Sequence, residues 1–399
     1  MAFVFPNFVC EIAWGSNPGD TSPSWTDVSA YLRGFQISRG RQYELNQSQA
    51  GTCNIVLKNL DRRFDPTYTS SPYYPNIVPM VPVRISAVSL GVTYRLFTGY
   101  VERYPQNRTG PTYAETVIQA VDGFELLSNA VLPGDTYPSE LTGTRIGRVL
   151  DAAGWSSSAR NIATGQSTID AYTFADADYI APLPHLQAVA DSELGAFYMG
   201  NDGRATFLDR RSSYGSGSAG AFSDISPPPG SFINITGYSN IQTSYDKDLI
   251  YTDVRVTPSS GVYQEALDSA LIAKYFLRLL PRTVLLSTNA DALSQAEYLL
   301  SLYKNPALRI AQITVTPGTS TTAWGQVLAR ELSDRITTIE HPPGGGSTIT
   351  QDSFIQQIDF SVGTDPAGAK VTWQLLPAAV QGFWRASYSQ ASVDTRAGY

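Results

Sequence analysis

Histidine and cysteine are almost missing from this chain of 399 residues, which holds two of each. Two cysteines, Cys10 and Cys53, can build neither a disulfide framework nor a four-thiolate metal site. Both fall in segments that read as strands, where a free thiol packs as a small apolar side chain. A bridge between the two strands stays open as the alternative. His185 follows Pro184 at the start of a predicted helix, and His341 opens a Pro/Gly loop. Neither has a cysteine or a second histidine at ligand spacing, so no metal and no cofactor is expected. A Ser–His–Asp arrangement assembles only in space, and no nucleophile-elbow motif supports one.

Positive charge is also short. Lys and Arg number 28 against 35 Asp and Glu, a net charge of −7, where a chain built to grip phosphates carries a basic balance or stripe. No sequence-specific nucleic-acid partner is expected. Long apolar runs are lacking too, so no transmembrane segment is expected. The opening MAFVFPNFVCEIAW has no basic leader and no small-residue cleavage site. It reads as a first strand, and synthesis in the cytoplasm without a signal peptide is expected. Gly143, Gly147 and Gly344 to Gly346 precede no Lys-Ser/Thr and so make no phosphate loop. The carboxylate pairs Asp191/Glu193 and Asp176/Asp178 have no fixed separation of the kind glycosidase chemistry needs. They read as solvated surface charges. No catalytic residue is assigned.

What the chain does have is alternation. Between Trp25 and Glu102, short apolar–polar runs such as Phe35-Gln36-Ile37-Ser38 and Cys53 to Leu57 are separated by Gly, Asn, Asp and Pro. This is the pattern of strands with one dry face, and many of them in so short a space argue for a small barrel or sandwich that closes its own edges. Helical spacing appears over 144–153, with Thr142 or Thr144 to cap it, and over 183–194, with Gly195 to stop it. The Asn201-Asp202-Gly203-Arg204 stretch between two apolar runs signals a hairpin. Another helix is predicted over 290–304, and strands over 253–256, 312–316, 354–362 and 371–376. The fold class is therefore mainly β with an α+β insertion: two small β-barrel-like modules flanking a mixed middle domain. The boundaries are 1–123, 124–210, a Gly/Ser/Pro connection at 211–231, 232–377, and a C-terminal arm at 378–399.

Several segments carry a family resemblance: Trp25-Thr26-Asp27-Val28-Ser29, Ser38-Arg39-Gly40-Arg41, Ala50-Gly51-Thr52, Asn59-Leu60-Asp61-Arg62-Arg63-Phe64-Asp65-Pro66, Met80 to Ile85 and Leu96 to Glu102. Further along come Asp122-Gly123-Phe124, Asn201 to Phe207, Asp209-Arg210, Glu331-Leu332-Ser333-Asp334-Arg335, Phe354 to Ile358 and Trp373-Gln374-Leu375. In this order they resemble minor tail proteins of long-tailed, siphovirus-like phages, the tail-tip or baseplate hub family. Arg62 stands where that pattern commonly has glycine. The resemblance implies a non-enzymatic structural protein of the virion tail tip, a homo-oligomer and expectedly a trimer, whose two related barrels continue a sixfold tail tube. It implies distal tail and tube proteins, a tape measure protein and receptor-binding or fibre proteins as partners, and a lumen on the DNA path whose wall shares the acidic balance. A hexameric distal tail adaptor is the alternative, and a carbohydrate-binding or cell-wall-degrading tail subunit, suggested by the many Tyr and Trp, is a weaker one. Within the Tyr-rich stretch, Tyr68, Tyr73 and Tyr74 are the residues expected at a contact between chains.

Overall fold

Alternating burial makes the strands what they are: in Gln49–Lys58 every second residue from Gly51 on, with Cys53, Ile55 and Leu57, is buried, as the period of two requires. The computed structural model describes residues 3–42, 46–110, 112–175, 179–212, 217–225, 235–245, 247, 249–306 and 308–378. The arm from 379 to 399 and the pair Asp176/Asp178 lie outside the described residues.

The first β set comprises β1 (Asn7–Ile12), β2 (Leu32–Gly40), β3 (Gln49–Lys58), β4 (Pro82–Ser89), β5 (Val92–Arg103) and β6 (Ala114–Val121). Between β3 and β4 the Pro-rich stretch runs as turns with no strand. The middle of the chain contributes α1 (Phe124–Asn129), α2 (Thr142–Ala152), α3 (Pro182–Glu193) and the hairpin of β7 (Ala196–Met199) and β8 (Ala205–Leu208). Then follow β9 (Asp253–Thr257), β10 (Gln264–Leu267), α4 (Ser269–Tyr275), β11 (Leu279–Thr283), α5 (Asn289–Tyr303), β12 (Arg309–Val315), α6 (Thr321–Leu328), β13 (Arg335–Glu340), β14 (Ile349–Val362) and β15 (Lys370–Pro377).

The protein is β-dominated with helices concentrated in its middle, as the alternation predicts. The β sets are not closed barrels, however. They join into one sheet through an antiparallel pairing of β2 with β14, in which Ile37 faces Phe360 and Arg39 faces Ile358. From there the sheet continues on one side as β3, β6, β5, β4 and β1, and on the other through β13; β15 also pairs with β14, and β12 with β15. Periodicity reports that a strand exists and which face is dry. It does not report the partner, and here an edge expected to close on its own set is covered by a strand from the far end of the sequence. Gly40 makes room for it: the residue sits at φ +106°, and a Cβ there would lie 2.1 Å from the Gln356 carbonyl oxygen.

One core runs under both sets. Phe8 meets Phe35, Trp324 and Phe360 at ring-centroid distances of 5.3, 5.9 and 6.3 Å, and Trp324 and Trp373 are fully buried. A second core gathers Phe124, Ile146, Leu150, Leu186, Val189 and Phe207 around the middle helices. A third packs Val254 and Val256 of β9 against Ala292, Ala296 and Tyr303 of α5. Strand β9 therefore belongs to a separate three-stranded sheet with β10 and β11, not to the second large β set. The 211–231 connection also contains a strand, Ala221–Ser223, parallel to β13. Its Phe222 is buried 5.0 Å from the Trp373 ring, a single anchor that the surrounding Gly and Ser conceal.

Helix ends differ in detail from expectation. The side chains of Thr142 and Thr144 do not cap α2: Leu141 is its N-cap, and the Thr142 hydroxyl instead donates to Glu193 Oε2 at 2.8 Å. At the end of α3 the left-handed residue is Leu194, φ 54°, rather than Gly195. Thr288 caps α5 through Asp291 N, 3.1 Å away. Among the described residues no helix is long and apolar enough to cross a membrane.

Candidate functional site

Six of the segments that carry the resemblance converge where the two β sets and the middle region touch. Arg39, on β2 and only 5% exposed, forms an ion pair with Glu331, from the turn after α6. A second contact of the same pair measures 3.3 Å. Glu331 Oε2 also accepts from Asn201 N at 3.0 Å, and Oε1 from Leu332 N at 2.8 Å. Tyr198, on β7, donates its hydroxyl to the Leu332 carbonyl at 3.2 Å, and burial pushes its pKa up. Thr98 of β5 donates to the Asn201 carbonyl at 3.0 Å. The hairpin turn that delivers Asn201 relies on Gly203 at φ +83°, where a Cβ would press on Thr98 at 2.9 Å.

Asp122 completes the junction. One carboxylate oxygen accepts from Gly51 N at 2.6 Å and the other from Phe124 N at 2.9 Å, which ties β3 to the start of α1. Burial pushes its pKa up to about 7, against the pull of these hydrogen bonds and of Arg39. Nearby, Asp334 is likewise raised and Arg330 lowered, both by burial. A buried, hydrogen-bonded pair reached from three parts of the chain fixes their relative placement. It presents no nucleophile with an activating base.

The Asn59–Pro66 turn forms a second polar knot. Asn59 accepts from Phe64 N at 3.0 Å and donates to Thr116 and Gln106 at 2.8 and 2.7 Å. Arg62 takes φ 61°, the left-handed backbone a glycine would adopt there, so the turn forms with arginine at this position. Asp65 accepts from Thr67 N at 2.9 Å, from Arg62 at 3.1 Å and from Arg108 at 2.6 Å. Burial alone would raise its pKa, but the bonds from Thr67 and Arg62 win and hold it at about 2. Of the three tyrosines singled out from the sequence, Tyr73 stacks inside its own chain, 4.8 Å from Trp14 and 5.7 Å from Phe64. Tyr68 lies under the Arg62 guanidinium at 4.7 Å, and Tyr74 is 47% exposed.

The histidines stand apart from this junction. His185 is buried between Tyr172 and Phe174, ring centroids 5.2 and 4.8 Å away, and burial, with Arg145, lowers its pKa to about 4. His341 sits 2.7 Å from an Asp224 oxygen at the surface. Cys10 and Cys53 are free and buried. Glu193, read from sequence as a surface charge, is fully buried, and accepts from Ser167 N at 2.8 Å as well as from Thr142. Asp191 accepts from Gln47 at 2.9 Å. Among the described residues no group of three or more His, Cys, Asp or Glu is placed to hold a metal.

No protein-family model matches the sequence, nor does any curated protein. The fold, in contrast, recurs in solved structures. The tail protein from Neisseria meningitidis MC58 superposes with a TM-score of 0.59 at 13% identity, over 93% of this chain and 96% of that one. The 43 kDa tail protein of prophage MuSo2 from Shewanella oneidensis gives 0.58 at 12% identity, over 94% and 98%. A chain of the lidded Francisella PdpA–VgrG complex gives 0.51 at 9% identity, over 98% of this chain and 55% of that one. The chain shares its fold with these two tail proteins over more than nine-tenths of its length.

Proposed function

We propose that the protein is a structural component of a phage tail, serving as a hub at the tail tip. The observation that carries this reading is the edge-to-edge union of two β sets from opposite ends of the chain, in a fold shared over more than nine-tenths of its length with two tail proteins. In this reading the modules at 1–123 and 232–377 are two similar faces of one subunit. Three such subunits present six near-equivalent docking faces to a sixfold tube, which is how a trimer adapts to that symmetry. The tail tube and distal tail proteins, a tape measure protein and receptor-binding proteins are its partners, and catalysis is left to other chains.

Tyr68 and Tyr74 are assigned to the contact between subunits, while Tyr73 stacks on Trp14 and Phe64 within its own chain. The DNA-facing wall is assigned an acidic balance. Support for the siphovirus-like setting is the ordered set of segments met in the sequence. The test is a reconstruction of the intact tail. Three copies around the axis with a continuous channel are expected; six copies in a true sixfold ring would transfer the assignment to a distal tail adaptor.

A further inference from the structure

Beside the three-way junction opens a cleft of about 580 Å³, set between the 18–25 loop, β5, α1, the 154–159 loop and the tip of the β7–β8 hairpin. Its size falls within the few hundred to about 1,000 Å³ typical of small-ligand sites. Three aromatic side chains line it, Trp25, Tyr100 and Trp155, each half-buried. Trp25 and Trp155 are held in place before any ligand arrives. Arg84 lies 4.1 Å over the Trp25 ring and is itself held by two bonds to Glu11, at 2.6 and 2.9 Å. Trp155 donates its indole N–H to the Ala159 carbonyl at 2.9 Å, and rests where Gly123 has no side chain: a Cβ there would lie 2.5 Å from the ring.

We propose that this cleft binds a neutral saccharide of one or two rings. Three properties select that class. Aromatic rings held in place offer apolar area at little entropic cost, suited to the C–H faces of a sugar ring, Trp25 only by the side that Arg84 does not cover. The rim is made of short hydroxyl, carboxylate and guanidinium groups, among them Thr21, Ser156, Ser158, Asp20 and Asp202, which together both donate to and accept from hydroxyls. Charge gives the third. Arg84, Arg95 and Arg204 are balanced by Glu11, Asp20 and Asp202, with Glu11 between the first two arginines and Asp202 3.5 Å from Arg204. The nearly balanced charge gives no strong preference for an anion or a cation, and groups that both donate and accept suit a neutral polyhydroxyl ligand. Because the walls come from both the first β set and the middle region, an occupant bridges two cores. This inference is independent of the hub assignment and holds or fails without it.

The test is saturation-transfer NMR on the full chain with maltose, cellobiose and N,N′-diacetylchitobiose as neutral probes, and glucose 6-phosphate and glucuronic acid as charged ones. Transfer to at least one neutral disaccharide is expected, with affinity weakened about tenfold or more by Trp25→Ala. Should Trp25→Ala compromise folding, Ser158→Trp supplies the second variant. Ser158 is exposed at the mouth and, among the described residues, its hydroxyl bonds only Ser156, so a bulky ring there blocks entry with the packing preserved. Absence of transfer from every neutral probe overturns the proposal. So does transfer unaffected by both variants, or a preference for the charged probes. Loss of particle assembly in Ser158→Trp without any saccharide binding overturns it in favour of a protein loop as the occupant.

Discussion

Arg39 is the residue on which the most structure depends. Breaking a buried ion pair by removing one partner costs about 3–5 kcal/mol, because the remaining charge is left without compensation. Glu331 keeps a quarter of its side-chain surface exposed, so the lower end applies. Arg39→Met is expected to lower unfolding stability by about 3 kcal/mol in urea titration. A double-mutant cycle with Glu331→Gln should recover part of that loss, whereas simple additivity would show that the pair is not coupled. Asp65 answers to pH. Its folded pKa, about 2, lies below the ordinary carboxylate value of about 3.9, so its contribution is complete above pH 4 and disappears as the pH falls toward 2. Asp65→Asn should cost about 2 kcal/mol at neutral pH and flatten that acid limb of the stability curve. For Arg62 two effects oppose: left-handed backbone costs about 1 kcal/mol, while the pair with Asp65 and the contact with Tyr68 return a similar amount. Arg62→Gly should therefore stay within about 1 kcal/mol of the parent.

Helix α3 shows how a titrating group inside an element becomes visible from outside. His185 must stay neutral in the fold, with a pKa of about 4, whereas the unfolded chain protonates near 6.5. Between those values the unfolded state binds more protons, so stability falls as the pH drops from about 6.5 to about 4 and levels off below. His185→Leu should remove that slope in denaturation curves measured across the window; an unchanged slope would assign it to other groups. Elements are also where the sequence was most legible. Period-two burial gave the main strands, and the predicted helices over 144–153, 183–194 and 290–304 appear within about two residues of their observed ends. Short helices α1, α4 and α6 escaped, because six to eight residues carry too few turns for periodicity to stand out. Leu194 as the left-handed stop of α3 was hidden by the adjacent glycine, the residue type ordinarily found there. At the junction, Arg39, Thr98, Asn201 and Glu331 each lie in a segment that the sequence singles out, whereas Tyr198 falls outside them. That Arg39 meets Glu331 was not legible, since a contact spanning most of the chain leaves no local trace.

At the scale of the whole molecule, the shared core predicts shared cooperativity. Amides in β2 and in β14 should exchange with similar, high protection, because neither strand can detach without opening the other's edge. Gly40→Val, which sets a side chain against the Gln356 carbonyl, should depress protection in both strands together. Protection lost from only one would show that the two sets fold separately. Assembly belongs to the same scale: Tyr68→Ala with Tyr74→Ala is expected to leave the monomer's unfolding curve within about 0.5 kcal/mol and to reduce oligomer formation in sedimentation. Tyr73→Ala, by contrast, should weaken the fold itself through the lost stack on Trp14.

The pairing of β2 with β14 also sets an order of events at the ribosome. Gln357 and Ser38 hydrogen-bond across 319 positions, so β2 leaves the exit tunnel long before its neighbour exists. At synthesis rates of about 5–20 residues per second, that interval is on the order of tens of seconds. Throughout it the nascent first half carries an unsatisfied strand edge beside apolar surface, the combination that invites wrong partners. Closure then waits on contacts of very long sequence separation, which are slow to form. A chain built this way is most exposed to wrong partners before its last strands arrive, the interval in which shelter from them matters most.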